Sequence, residues 1–475
     1  MKSFSFKNFR KFQDFPMIDM GGINIFVGMN NSGKSTAIKA LILYLKNIQS
    51  FSHLEPPIIN FSFANNLSSH THLGDFRNNL PFNGAANTME FGAQLGETIV
   101  RFELKGSALE YQSASLSVPI KRLTCSVPKY GLALIYERTK SGIRTTFSFK
   151  LIGIHLLRDD IRTKLAHEIN PKYNIDNLSD IKVIDSFLST FGKYTLKEEI
   201  NISWDDYYVE DDKRIYEGLS LPLDADTERG LYYIVERVRH IIDQSVDHYH
   251  IEYVEAHSAS HNEILFEEDK NNYLAQTVAR FESEKIYRGS RPYLFVKKWL
   301  RELKIGQDFI ISRPYSEVFK VDIKTDTGNK PLATMGTGSI QLFILLLQIA
   351  IAMLKGKVIL VIEEPEQNLH PAIQSKLADL FLDAVTESAG RIQFVIETHS
   401  EYLVRRTQVF IAEATRNNER SIEELNKQIK VFYFPENDIP YSLEYRSTGQ
   451  FERQFGPGFF DEAGKNYRAL LELNR

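Results

Sequence analysis

Three short stretches of the chain are almost wholly apolar: residues 23–27 (INIFV), 358–362 (VILVI) and 392–396 (IQFVI), interrupted only by Asn24 and Gln393. Apolar runs of this length without alternation are expected of strands buried on both faces, which belong to parallel sheets covered by helices. Each run leads directly into polar or glycine-rich residues, GMNNSGKST, EEPEQNLHP and ETHS respectively. Ligands of open α/β sheets bind beyond the carboxyl ends of the strands, so these three tails are expected to meet at one site despite their distance in sequence.

Between the first two runs the pattern changes twice. Up to about residue 155, segments such as TIVRFEL, LALIYER and TTFSFKL alternate with period two, and a turn at KSG (140–142) separates the last two. This predicts antiparallel hairpins. From 156 to 305 the periodicity becomes mainly helical, in IRTKLAHEI, IKVIDSFLSTF, YYIVERVRHIID and YLFVKKWLREL. The expected fold class is α/β. An N-terminal part (1–155) carries the first buried strand and an antiparallel β lobe, a mainly helical insertion spans 156–305, and a C-terminal part (306–475) completes a mixed sheet. No internal repeat and no sustained heptad pattern is visible, so no long coiled-coil arm is expected. The longest apolar run, 342–354, is broken by Gln348 and falls short of the ~20 residues of a membrane span; it reads as a buried helix.

A composition of 43% hydrophobic and 25% charged residues is that of a globular protein without disorder-prone bias. The formal net charge of −4 argues against a surface coated for nucleic acid, while leaving room for a local basic patch. Cys125 is the only cysteine, which allows no internal disulfide, and MKSFSFKNFRKF lacks the apolar core of a secretory signal. A cytoplasmic location and no membrane association are therefore expected.

The first tail carries the most specific chemistry. Gly28, then four residues, then Gly33-Lys34-Ser35 has the phosphate-loop spacing, follows an expected strand and opens the expected helix KSTAIKALILYLKNI. Glycines let the backbone curl so that amides of Asn31, Ser32, Gly33, Lys34 and Ser35 point at phosphate oxygens at the positive end of a helix, with Gly28, Asn30 and Thr36 completing the expected nucleotide-binding cradle. Lys34 is expected to reach the β- and γ-phosphates of ATP, and Ser35 to ligate Mg²⁺. The second tail supplies adjacent acids. Phosphoryl transfer needs a positioned metal and an oriented water, so Glu363 is expected to hold Mg²⁺ through its water shell and Glu364 to orient or deprotonate the attacking water.

EEPEQNLHP resembles the Walker B and D-loop signature of ABC-type ATPases related to the overcoming lysogenization defect (OLD) proteins. FKNFRKFQDFPMIDMGGINIFVGMNNSGKST is similar to that family's opening strand and cradle, ETHS places His399 where the family has a switch histidine, and TMGTGSIQLFILLLQIA (334–350) stands in the place of the ABC signature and its helix. The likeness covers the two ends of the chain, and in the middle only HLGDF (72–76) shares it. It implies an ABC-type P-loop ATPase head in which the MGTGS turn, with Gly336 and Gly338, binds the γ-phosphate of the nucleotide held by another subunit. Two subunits would then close head to tail around two ATP molecules, as a homodimer or a higher oligomer of dimers. Met335 departs from the small or polar residue usual in the family, which leaves Ser339 as the candidate for the signature serine. No Q-loop is assigned; Gln94 is the weak candidate.

OLD-type nucleases carry a metal-binding TOPRIM domain after the ATPase, whereas only 401–475 follow ETHS here. The resemblance therefore extends to ATPase subunits of two-gene antiphage systems such as Septu and PARIS, which hold a separate nuclease effector of HNH or TOPRIM type. A RecF-like DNA-repair ATPase that clamps DNA directly is the first rival, supported by the basic segments ERTKSGIR and YLVRRTQ. A nucleotide-dependent scaffold with little turnover is the second. The histidines of HYHIEYVEAHSASHNE lack clean metal-ligand spacing, and VDIK and EDDK are too short to indicate a nuclease.

Overall fold

The three apolar runs become adjacent parallel strands of one sheet: β3 (Ile23–Gly28), β17 (Lys357–Glu363) and β18 (Ile392–Glu397), with β18 in the middle. The computed structural model describes residues 1–51, 60–63, 76–81, 87–105, 117–128, 132–141, 144–152, 199–205, 215–217, 249–254, 261–436, 438–456 and 460–473. These fall into two compact units, one within 1–17, 43–64 and 73–247, the other within 18–42 and 248–475.

The first unit is built on a ten-stranded sheet. Its strands are β1 (Ser3–Phe9), β2 (Phe12–Asp19), β4 (Asn60–Ser62), β5 (Thr88–Leu95), β6 (Thr98–Lys105), β7 (Ser117–Val127), β8 (Leu132–Ser141), β9 (Arg144–Ile152), β10 (Glu199–Asp205) and β11 (Ile215–Glu217). The order is β11-β10-β9-β8-β7-β6-β5-β1-β2, with β4 beside β7. The period-two segments lie in β6, β8 and β9, which pair antiparallel with their neighbours, β8 and β9 as the hairpin flanking 142–143. Alternation in β1 turns Phe4 and Phe6 inward, and Phe6 stacks on Phe15 with ring centroids 4.3 Å apart. Tyr44, fully buried on α1 (Lys34–Phe51), donates its hydroxyl to the carbonyl of Val100 at 3.1 Å, the partner a buried phenol requires.

The second unit holds a six-stranded sheet in the order β12-β17-β18-β3-β19-β20, with β12 (Tyr249–Val254), β19 (Ile429–Phe434) and β20 (Tyr441–Leu443). Only β20 runs antiparallel. A small antiparallel sheet is formed by β13 (Leu265–Phe266), β14 (Asp308–Tyr315), β15 (Val318–Thr325) and β16 (Gly328–Pro331). The helices are α2 (Tyr273–Ser283), α3 (Arg291–Glu302), α4 (Thr337–Ala352), α5 (Pro371–Glu387), α6 (Glu401–Arg416), α7 (Ile422–Gln428) and α8 (Glu462–Leu473). α4, TGSIQLFILLLQIAIA, is apolar around its whole circumference and accordingly buried, packing against β12, β17, α2 and α3. Among the described residues no helix is long and apolar enough to cross a membrane.

The expected insertion, 156–305, lies for the most part outside the described residues up to 248. From 249 on it supplies β12, parallel to β17, and the helices α2 and α3, the latter formed by the YLFVKKWLREL segment. These belong to the second unit, together with 306–475.

The two polar interruptions of the apolar runs have a common use. The Asn24 side chain accepts from the Gly21 amide (2.7 Å) and donates to the carbonyls of Gly21 (2.9 Å) and Phe394 (2.8 Å), and Gln393 donates to the Gly21 carbonyl at 2.6 Å. Both sit in buried strands, where an unpaired amide would be costly, and both are paired.

Phe394 is fully buried at the centre of this sheet, its ring 5.0 Å from that of Phe381 on α5. Phe394→Ala is expected to lower stability by about 3–5 kcal/mol, read from urea unfolding of the full chain.

Candidate functional site

The cradle follows β3 without a break. Gly28 has φ +154°, and a Cβ there would lie 2.4 Å from the carbonyl oxygen of Phe434, so only glycine lets the chain leave the strand beside β19. Asn31 (φ +60°) and Gly33 (φ +105°) complete the curl before α1 begins at Lys34. Asn30 and Asn31 are exposed, Ser32 and Lys34 buried, and Gly33, Ser35 and Thr36 half-buried. The Ser32 hydroxyl is buried with no hydrogen-bond partner. Such an orphan is rare away from functional sites, and here it lies in a loop whose geometry suits a phosphate.

Lys34 folds back into the cradle, donating to the carbonyls of Gly28 (3.0 Å) and Met29 (2.9 Å). Its ammonium lies 3.9 Å from Glu397, the last residue of β18. Ser35 donates its hydroxyl to the same carboxylate at 2.9 Å. Burial lowers the Lys34 pKa, against the opposing attraction of Glu397, Glu364 and Glu366. Burial pushes Glu397 up to about 7, countered by Lys34 and Ser35 and reinforced by Glu363 and Glu364. Both members of the pair are thus displaced towards their neutral forms, the mark of charges removed from water without full compensation.

The Walker B acids end β17. Glu363 is the register partner of Glu397, and the Glu364 amide donates to the Glu397 carbonyl at 2.8 Å. Glu364 has φ +43° and a half-buried carboxylate that accepts from the Gln367 side chain and lies 3.9 Å from Nε2 of His399. Burial, together with the charge of Lys34, lowers the His399 pKa against the pull of Glu364, which leaves the ring neutral at pH 7.

Glu366 ties the second and third tails together. Its Oε1 accepts from the His399 amide at 2.7 Å, and its Oε2 is buried without a partner; burial raises its pKa against that backbone bond. Ser400 caps α6 and donates to Gln374, which donates to the carbonyl of Leu369 at 3.0 Å. The expected residues Lys34, Ser35, Glu363, Glu364 and His399 are therefore brought together at the carboxyl ends of three neighbouring strands. Sequence reasoning missed Glu366 and Glu397. The signal for Glu397 was its position at the end of a buried strand, the same position that singled out Glu363.

The signature turn divides. Gly336 is exposed, with open space where a Cβ would point, and caps the N-terminus of α4. Gly338 is buried, and a Cβ there would lie 2.6 Å from the Asn368 carbonyl and 2.8 Å from the Leu369 side chain of its own chain. The missing side chain of Gly338 thus admits the turn that follows Glu363 and Glu364. Ser339 is half-buried and its amide donates to the Gly336 carbonyl at 2.8 Å, while Thr337 pairs with His261 at 3.1 Å. Gln94 lies on β5 in the other unit and donates to the Gly96 carbonyl. Among the described residues no group of three or more His, Cys, Asp or Glu is placed to hold a metal.

A parallel sheet with a phosphate loop after β3, paired acids after β17, a histidine after the interposed β18 and a glycine turn opening a buried helix is the arrangement of a P-loop nucleotide-binding fold. The chain belongs to the AAA ATPase domain family, whose model matches residues 1–404. Among solved structures it is similar to an Smc head bound to the C-winged helix domain of ScpA (14% identity, TM-score 0.36, covering 93% of this chain and 97% of that chain). It is also similar to the Smc head domain with an extended coiled coil from Pyrococcus furiosus (13%, 0.35, 100% and 99%) and to an SMC head domain from Thermotoga maritima (11%, 0.34, 94% and 98%). A comparison with curated proteins finds no match.

The raised Glu397 pKa gives a signed pH dependence. The folded chain holds this proton more tightly than the unfolded one, so the associated stability is present below about pH 4.5 and is lost as pH rises through about 7. Glu397→Gln is expected to be more stable than the parent at pH 8, by roughly 2 kcal/mol, and close to it at pH 4.5. Thermal unfolding of the metal- and nucleotide-free proteins across this range is the measurement.

Proposed function

We propose that the chain binds ATP with Mg²⁺ in the 28–36 cradle, pairs with a second copy across that nucleotide, and hydrolyses it. The observation that carries this reading is the buried, unpartnered Ser32 hydroxyl inside a loop already curled for phosphate, beside a lysine whose burial is incompletely compensated. Lys34 would leave the carbonyls of Gly28 and Met29 for the β- and γ-phosphates. Ser35 and Glu363 would hold Mg²⁺, which neutralises phosphate charge when bound. Glu364 would accept the proton of the attacking water, and the neutral His399 would donate an N–H towards the transferred group. The exposed Gly336 and the first amides of α4, with Ser339, would meet the γ-phosphate held by the other copy.

The finer role rests on the resemblance to OLD-like ATPases. The ATP-closed dimer, or an oligomer of dimers, would act as the sensor and scaffold subunit of a prokaryotic antiphage complex, controlling a separate nuclease of HNH or TOPRIM type. Direct DNA clamping gains little support from YLVRRTQ, because Arg405 is paired with Glu401 (3.0 Å) and Arg406 with Asp379 (2.9 Å).

Lys34→Ala is expected to weaken ATP binding roughly 10–100-fold, the cost of charge-assisted hydrogen bonds, as measured by titration with a fluorescent ATP analogue. Glu364→Gln is expected to retain binding, to lose turnover by about 10²–10⁴-fold and to accumulate as an ATP-dependent dimer in mass photometry. An assembly state that ignores ATP in both proteins would count against the shared site. Affinity capture from the native host is expected to recover a nuclease polypeptide; recovery of DNA alone, salt-sensitive and ATP-dependent, would favour the clamp.

A further inference from the structure

Ser35 and Glu397 act as one unit. A serine hydroxyl has a single proton, and Ser35 commits it to Glu397 Oε1 at 2.9 Å, which leaves its oxygen lone pairs for a hard cation. The other carboxylate oxygen, Oε2, is buried without a hydrogen-bond partner, in a residue only 5% exposed. Glu397 is not there to satisfy Lys34: their 3.9 Å separation exceeds a hydrogen bond, and the lysine donates instead to two backbone carbonyls. As a purely structural partner for a serine, an ionisable acid is a costly choice at such a depth, where an amide would serve. Its place in the sheet supplies a reason. Register pairs Glu397 with Phe26 of the cradle strand on one side and with Glu363 of the Walker B strand on the other.

We propose that Glu397 is a positioning residue for the cation that accompanies the nucleotide: it aims the Ser35 oxygen at the metal and keeps Oε2 as an acceptor for metal-bound water. The role sits at the end of β18, one strand away from the acid pair that the Walker B pattern singles out. It rests on the reading of 28–36 as an ATP cradle. One consequence separates it from a packing role. Without the cation, the Glu397 carboxylate repels the triphosphate; with it, the same charge helps to hold the complex. Glu397 therefore couples Mg²⁺ binding to ATP binding, and linkage makes that coupling measurable from the ATP side alone.

The test is equilibrium titration of the full chain with ATP, once in EDTA and once in excess Mg²⁺, for the parent, Glu397→Gln, Glu397→Asp, Ser35→Ala and the Ser35→Ala/Glu397→Gln double variant, with melting curves as a check on folding. The Mg²⁺ dependence of the parent's affinity is expected to fall by about tenfold or more in Glu397→Gln, the usual scale for losing an outer partner of a metal ligand. Part of that fall should come from tighter binding in EDTA. The double variant should lose no more than Ser35→Ala alone, since the two groups act together. Glu397→Asp withdraws the carboxylate but keeps its charge, so it should lose the Mg²⁺ dependence without the gain in EDTA, and it serves alone if the Gln variant does not fold. An unchanged Mg²⁺ dependence in folded Glu397 variants overturns the proposal, as does an equal loss of affinity with and without the cation. Failure of the parent to bind ATP under either condition removes the cradle reading itself, and the proposal with it.

Discussion

Strands buried on both faces are poorly protected against slippage. In a sheet with one wet face, a one-residue shift would drive the apolar set into water; in β3 and β18, where every residue is buried, the shift exposes nothing and the usual penalty is missing. Something else must fix the register, and the only polar side chains inside the two runs do so. Asn24 spans from Gly21 to the Phe394 carbonyl and Gln393 reaches the same Gly21. A slip would break these bonds inside a low-dielectric layer, where each lost partner costs more than it would at the surface. The same register sets Glu397 beside Phe26, so the amides that look like flaws in the apolar pattern determine where this acid ends up relative to the cradle strand.

That placement concentrates charge. Three carboxylates, Glu364, Glu366 and Glu397, act on a single buried lysine. Burial, reinforced by the neighbouring negative charge, shifts Glu397 and Glu366 upwards, and two carboxylate oxygens and one serine hydroxyl are left without hydrogen-bond partners. Under the proposed reading, cationic charge and phosphate oxygens added together, as a magnesium–nucleotide complex supplies them, would relieve this arrangement. The loops around it are braced rather than loose. Glu366 holds the His399 amide, Ser400 and Gln374 hold Leu369, and Asn368 and Leu369 fill the space left by Gly338 at the start of α4.

Much of this was legible in the sequence because it depends on short-range rules. Three unalternating apolar runs gave three parallel strands, and glycine spacing before a helix gave the cradle. Period-two segments gave the antiparallel hairpins of the first unit. What was not legible depends on neighbours distant in the chain. HYHIEYV reads as a histidine cluster inside a helical insertion, yet its residues from 249 form β12 at the edge of the parallel sheet, where one side is only partly covered and alternation survives. Nothing in ETHS singles out Glu397, because its partners Ser35 and Glu363 are brought to it only by strand order. The packing of Asn368 and Leu369 into the place of Gly338's missing side chain is likewise invisible locally.

The backbone at Glu364 bears on whether the nucleotide is turned over or merely held. A glutamate at φ +43° is in the left-handed region, where a side chain without local compensation costs on the order of 1 kcal/mol or more. The conformation is maintained: the Glu364 amide is fixed to the Glu397 carbonyl at 2.8 Å, and Pro365 and Glu366, which follow it, are both buried. A scaffold that used ATP only as glue would gain nothing from this strain, since in the proposed site Lys34, Ser35 and the α1 amides would already supply the binding groups. The strained backbone instead places the carboxylate near Nε2 of His399, 3.9 Å away and partly open to solvent, where a water could be held between an acceptor and a neutral imidazole. Strain retained at an acid that the proposed binding does not require is better explained by chemistry than by adhesion, which supports the proposed hydrolysis over the rival of a static scaffold.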